Sequence, residues 1–133
     1  MSSSQQTPVP AVFLDRDGTI NEERGHIQTP EELVLLAGAA SAIRRLNASQ
    51  YLTVVVTNQS VIARGKCTEI DMKKIHNRLQ SLIGEFGASI DRIYYCPHHP
   101  DQLIPGGRQD LKIVCDCRKP EPGLILRATK EMN

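Results

Sequence analysis

Ala11-Val12-Phe13-Leu14-Asp15-Arg16-Asp17-Gly18-Thr19 decides how this chain is read: four apolar residues run into two carboxylates spaced i, i+2, and a glycine follows. A strand buried on both faces is written as an unbroken apolar run, and open α/β sheets bind ligands outside the carboxyl ends of such strands. The stretch therefore predicts a parallel strand that carries Asp15 and Asp17 to a crevice, where a metal and a nucleophile would be placed. An acidic turn after a strand, with Gly18 supplying a permissive backbone, fits the same residues as well.

Two further runs have the same character. Leu52-Thr53-Val54-Val55-Val56 is rich in β-branched residues, uncharged and leads straight into Thr57-Asn58-Gln59-Ser60, and residues 90–95, with Ile90, Ile93, Tyr94 and Tyr95, read as a third strand. Between the first two, Pro30 opens a turn, and Ala39, Ala42, Ile43 and Leu46 then recur at helical spacing. Met72, Ile75, Leu79, Leu82 or Ile83, and Phe86 mark a second helix, with Thr68 as N-cap, Asp71 as its capping-box partner and Gly87 as its stop. Pro122 starts a last helical segment with Leu124, Ile125, Leu126 and Ala128, while residues 21–29 are polar and suit a loop over the carboxyl edge of the sheet. Strands alternating with helices require crossover connections. The fold class is therefore α/β, with parallel strands near residues 11–15, 51–57 and 91–95 and flanking helices.

Composition narrows the classes of function. The chain has 133 residues and a formal charge of +1 with mixed signs, and neither a basic tract nor an array of aromatics speaks for nucleic acid. No apolar run reaches the length of a membrane span, and the start lacks a basic region followed by an apolar signal core. A cytoplasmic protein without membrane contact is the expectation. Residues 1–10, rich in Ser, Gln and Pro, read as a flexible leader before a domain over 11–133.

From Cys96 to Cys117 the composition shifts to Pro, Gly, His and Cys, too poor in apolar surface to order itself. Cys96-Pro97-His98 and Cys115-Asp116-Cys117 form two short arms that can wrap one ion. Three thiolates with one imidazole suit a closed tetrahedral zinc site, which would supply folding free energy to the loop 96–117 without activating water. His99 is the substitute for His98. Cys67 lies apart and reads as a small, buried or partly exposed side chain.

Phe13-Leu14-Asp15-Arg16-Asp17-Gly18-Thr19 resembles the first signature of the haloacid-dehalogenase-like (HAD-like) phosphohydrolases. With Thr57-Asn58-Gln59-Ser60, Ile62-Ala63-Arg64-Gly65, Tyr95-Cys96-Pro97-His98-His99-Pro100 and Cys115-Asp116-Cys117-Arg118-Lys119-Pro120, the set looks like the D-glycero-D-manno-heptose 1,7-bisphosphate phosphatases, from Val12 to about Leu126. Val61 replaces a glycine of that pattern, and the histidinol-phosphate phosphatases share the early signature and the zinc loop. The resemblance implies a Rossmann-like HAD core with no large cap, acting by magnesium-dependent hydrolysis of a small sugar bisphosphate in lipopolysaccharide biosynthesis. Asp15 matches the nucleophile that forms an aspartyl-phosphate and Asp17 the acid/base, both near magnesium. Thr57 matches the phosphoryl-binding hydroxyl and Asn58 an orienting amide. Lys119 matches the cation that neutralises the nucleophile, while Arg118 and Arg64 match groups that hold the sugar phosphate. Zinc falls to Cys96, His98, Cys115 and Cys117, and anchoring Cys115 and Cys117 would fix Arg118 and Lys119 beside the carboxylates.

One departure shapes the remaining expectations. The resemblance places another core strand with Gly-Asp and a following aspartate after the Lys-Pro helix, and nothing after Pro120 has that pattern; Glu121 and Glu131 do not match it. The expectation is a truncated domain whose strand-one edge, residues 12–14, lies open to self-association or a partner. The missing acidic motif also motivates a different class of function, a catalytically silent zinc-stabilised binding or assembly module.

Overall fold

A computed structural model describes residues 8–132 of the chain. Three strands, β1 (Ala11–Leu14), β2 (Leu52–Asn58) and β3 (Arg92–Cys96), form one parallel sheet in the order β1-β2-β3. The helices are α1 (Ala39–Asn47), α2 (Glu69–Gly84) and α3 (Gly123–Met132). This is the parallel sheet with flanking helices expected of a HAD core, and no cap domain is present among the described residues. Of the expected leader over residues 1–10, residues 1–7 lie outside the described residues; Pro10 takes part in the sheet, its carbonyl accepting from Leu52 N at 2.8 Å.

The two faces of β2 divide the core. Val55 points with Leu14 and Ile93 into a cluster with Ile43, Met72, Ile75, Leu79 and Ile83, whereas Val54 and Val56 point the other way, toward Leu124 and Ala128. A period of two along the strand thus buries one face under α1 and α2 and the other under α3. Thr68 caps α2 with the reciprocal pair expected of a capping box: its Oγ1 accepts from Asp71 N and Asp71 Oδ2 accepts from Thr68 N, both at 3.0 Å.

Local details differ from the sequence expectations where tertiary contacts intervene. Phe86 lies beyond the end of α2 and is exposed, because the helix stops at Gly84 and Gly87 takes a positive φ. The polar segment after β1 carries the fully buried Ile27, with Ile20 buried just before it, so the loop is anchored in the core while Asn21 bonds Asp17 at the carboxyl end of β1. The β1 edge pairs only with β2 among the described residues, and all four β1 residues are half-buried.

Ile75 is fully buried while Ile70 on the same helix is 71% exposed. Ile75→Ala is expected to destabilise the fold by about 2–5 kcal/mol, and Ile70→Ala by about 0.5 kcal/mol or less. Urea unfolding followed by circular dichroism measures both.

Candidate functional site

The carboxyl ends of β1 and β2 converge on Asp15. Asp15 Oδ1 accepts from the backbone N of Arg16 at 2.8 Å and pairs with Lys119 Nζ at 3.1 Å. Its side chain is 47% exposed, and Oδ2 takes no hydrogen bond among the described residues. An open anionic oxygen held beside an ammonium is suited to attack an incoming electrophile.

Lys119 reaches this position from 104 positions further along the chain because Asn58, the last residue of β2, clasps its backbone. Asn58 Oδ1 accepts from Lys119 N at 2.9 Å, and Asn58 Nδ2 donates to Lys119 O at 3.2 Å. The side-chain amide thus mimics a strand partner. Lys119 Nζ also donates to Val56 O at 2.9 Å, which fixes the ammonium over the end of β2. The geometry shows Asn58 engaged in placing the cation; its expected action on a phosphoryl group remains a separate proposal.

Asp17 is held quite differently. Oδ1 accepts from Arg16 Nε at 2.9 Å and Asn21 Nδ2 at 2.9 Å, while Oδ2 accepts from Arg16 Nη2 at 3.2 Å and Gln59 Nε2 at 3.0 Å. These four donors occupy about as many acceptor directions as a carboxylate offers. A cation or proton drawing on the Asp17 side chain would displace one of them. Gln59 Nε2 also donates to Thr57 Oγ1 at 2.9 Å, so the buried Thr57 hydroxyl is linked to Asp17 through one amide.

Carboxylate oxygens are hard donors of the kind magnesium prefers, and Asp15 has one available. On donor chemistry the site fits that ion, with Asp15 the more accessible of the two carboxylates.

Arg64 and Arg118 both lie near His99, in another part of the site. Arg64 Nε lies 3.4 Å from Ser60 Oγ as donor, and Arg118 Nη1 donates to His98 O at 3.2 Å. His99 is lowered from the usual histidine range by burial and then by the charges of Arg118 and Arg64; His26 is lowered by burial and then by Arg64 and Lys66. Two imidazoles and three cations therefore lie along one rim, with Glu23, Asp17 and Asp101 also close enough to act on the imidazoles. The loop ends of this rim touch closely: a Cβ on Gly107 would lie 2.4 Å from Ala63 O and 2.5 Å from Arg64 C, and one on Gly65 2.5 Å from Gly107 Cα. Lys112, buried on the same loop, donates to the carbonyls of Ile104 and Gly106 and to Gln109 Oε1, holding the turn that makes this approach.

Cys96, His98, Cys115 and Cys117 come together with all four ligand atoms within 4.8 Å of one another. Cys96 Sγ is 3.0 Å from Cys117 Sγ and 3.5 Å from Cys115 Sγ, and His98 Nδ1 is 3.3 Å from Cys117 Sγ. All four cysteines are free thiols. A tetrahedral Zn–S₄ edge is roughly 3.8 Å, so a slight expansion of this cluster would admit the ion. Burial pushes the Cys96 and Cys117 thiols up; at Cys115 burial acts in the same direction but hydrogen bonds from Cys117 and Cys96 outweigh it, and the net shift is downward. His98 rather than His99 supplies the imidazole, since His99 Nδ1 accepts from Asp101 N at 3.0 Å. Cys67 stays apart, buried beside Thr68 O.

Arg16, Asn21, Gln59, His26 and Lys112 are site or supporting residues that the sequence reading did not single out. Arg16 stood between the two carboxylates, and that adjacency was its signal. Gln59 lies inside the Thr57-Asn58-Gln59-Ser60 stretch after β2, whereas Asn21, His26 and Lys112 are brought in from loops and carry no local pattern.

A parallel sheet with flanking helices, presenting an ion-paired carboxylate and a second, hydrogen-bonded carboxylate two residues on, has the architecture of a HAD-like core. The chain belongs to the polynucleotide kinase 3 phosphatase family, whose profile matches residues 11–133. It is 43% identical over 120 residues to a D-glycero-beta-D-manno-heptose-1,7-bisphosphate 7-phosphatase from Salmonella typhi, covering 90% of this chain and 62% of that protein. A protein of the same name from Pasteurella multocida is 41% identical over 123 residues, covering 92% of this chain and 64% of that protein. The crystal structure of D,D-heptose 1,7-bisphosphate phosphatase from B. bronchiseptica, complexed with magnesium and phosphate, superposes with a TM-score of 0.78 at 31% identity, covering 92% of this chain and 63% of that one. The chain thus spans less than two thirds of the length of these relatives.

Gly107→Ala places a methyl against backbone at a positive φ and is expected to cost about 2–3 kcal/mol, whereas Gly106→Ala, with open space around it, costs about 1 kcal/mol. Thermal denaturation of the two variants separates the steric term from the conformational one.

Proposed function

We propose that the protein carrying this chain is a magnesium-dependent phosphatase that removes the 7-phosphate of D-glycero-D-manno-heptose 1,7-bisphosphate through an aspartyl-phosphate. The observation that carries this reading is the Lys119–Asp15 pair at 3.1 Å, with Asp17 immobilised two residues along the chain. The likeness to the heptose bisphosphate phosphatases supports the choice of substrate.

In this reading Asp15 attacks phosphorus while Asp17 gives a proton to the sugar oxygen as the P–O bond breaks. Asp17, now a carboxylate, takes a proton from the water that cleaves the Asp15 ester and is ready to repeat the cycle. Lys119 offsets charge on Asp15 and on the transferred group, and Thr57 supplies a hydroxyl at the end of β2. Magnesium bound at Asp15, with Asp17 beside it, would reduce the repulsion between carboxylate and phosphate. Arg64 and Arg118, on the rim, would take the second phosphate or neighbouring oxygens of the sugar.

Zinc at Cys96, His98, Cys115 and Cys117 has a structural part in the proposal. Arg118 and Lys119 follow Cys117 directly, so a closed ion ties the two cations to the end of β3. The open β1 edge is proposed to be covered by further chain, a second copy or a partner. Sedimentation velocity that finds a monomer with β1 amides exchanging freely would remove the association proposal.

Hydrolysis is tested on heptose bisphosphate, histidinol phosphate and a 3′-phosphorylated oligonucleotide, the last because the family carries the polynucleotide name. Release of phosphate from the first, abolished by at least roughly 10³-fold in Asp15→Asn, is the expected result. Preference for histidinol phosphate favours the second enzymatic reading. No turnover of any of the three by protein with its fold and metals intact supports the silent module.

Elemental analysis of protein purified without added metal should find about one equivalent of zinc per chain. Its removal by a chelator is expected to lower Tm and to slow hydrolysis through displacement of Arg118 and Lys119; a stripped protein with unchanged rate and fold would contradict that role.

A further inference from the structure

Arg16 is fully buried, yet its donors point two ways. Nε and Nη2 form a fork on Asp17, and Nη1 turns toward α2, 3.2 Å from His76 Nε2 and 3.6 Å from Met72 Sδ. A guanidinium has donors only, so His76 Nε2 must be the acceptor and Nδ1 the protonated nitrogen. Burial, and then the Arg16 charge, lowers His76 to about 3, which keeps the ring neutral at neutral pH. The imidazole is itself steadied by Tyr95, its ring centroid 5.9 Å away at 54°.

The chemistry of this acceptor matters. A buried N–H without a partner costs about 1–3 kcal/mol, so Nη1 needs one. A carboxylate there would compete with Asp17 for the guanidinium charge, whereas a neutral imidazole satisfies the donor and leaves the fork of Nε and Nη2 to Asp17. Asn21 and Gln59 then bind the two Asp17 oxygens from the loop side and from the end of β2.

We propose that His76, acting through Arg16, is a positioning residue that fixes the plane of the Asp17 carboxylate for proton transfer. Its catalytic consequence rests on the phosphatase reading; the clamp itself does not.

The test uses two variants of the ¹⁵N-labelled chain. His76→Phe keeps a ring against Tyr95 and removes the acceptor, and His76→Gln restores an acceptor through Oε1. In the wild type, Arg16 is expected to show a slowly exchanging Nε–H and two resolved Nη resonances by NMR. Exchange at Nε–H should speed up roughly tenfold in His76→Phe and return to within about threefold of wild type in His76→Gln. In steady-state hydrolysis, His76→Phe should lose roughly tenfold in kcat with KM changed by less than about twofold, and His76→Gln should recover most of the loss. Averaged Nη resonances in the wild type, or a folded His76→Gln with Arg16 released, overturn the clamp, and both remain decisive if His76→Phe does not fold. A locked Arg16 in a protein that hydrolyses nothing sinks the phosphatase reading alone. Unchanged kcat in a folded His76→Phe sinks the positioning role alone.

Discussion

Two carboxylates two residues apart at the end of one strand crowd each other, and the rest of the site can be understood as the means of giving each its own set of partners. Each has its own cation from a different direction. Lys119 arrives at Asp15 from the loop before α3, and Arg16 folds back onto Asp17 from the core side. Because the guanidinium is fully buried, removing its carboxylate would leave an uncompensated charge inside the protein, a situation that costs about 3–5 kcal/mol in comparable pairs. The pair therefore ties the geometry of the site to the integrity of the core beneath it, where Met72 and His76 contact the same guanidinium.

The division of labour follows from solvation. Asp15, nearly half exposed and with a free oxygen, is placed to meet a ligand; Asp17, 16% exposed and saturated with donors, is placed to stay where it is. Such restraint would serve the proposed acid/base role, since proton transfer requires the donor and acceptor to come within hydrogen-bond distance in a fixed orientation. The same saturation means that any proton or cation taken up on the Asp17 side chain is traded against one of four N–H donors.

Chain connectivity would scatter these groups without cross-braces between loops. Asn58 binds the Lys119 backbone at two atoms, Gly107 packs against the Ala63 and Arg64 backbone, and the Cys96–His98–Cys115–Cys117 cluster gathers both ends of the loop 96–117. Gly123 N donates to Asp116 O at 2.7 Å, so the first turn of α3 rests on that loop as well. Each brace joins segments far apart in sequence, and together they set the rim around the carboxylates.

The sequence by itself determined the strands, the helices and the identity of the main chemical groups. Unbroken β-branched runs cannot be satisfied except by burial on both faces, Thr68 and Asp71 write their cap in four residues, and the Cys-x-His and Cys-x-Cys arms have a spacing that chemistry restricts to few uses. Tertiary structure alone decided which partner each group meets. Phe86 has helical spacing yet falls outside the core because the helix ends first, and Ile20 and Ile27 lie in a polar stretch yet anchor it. His98 joins the cysteines while His99 accepts from the Asp101 backbone, a choice that adjacent identical residues cannot show. His76 has the same helical spacing as its apolar neighbours, and nothing local distinguishes a core histidine from one that accepts from Arg16, 60 positions away. Periodicity reports which face of an element is buried; the pairing of donors with acceptors depends on distances between elements, and those exist only once the sheet and its helices have packed.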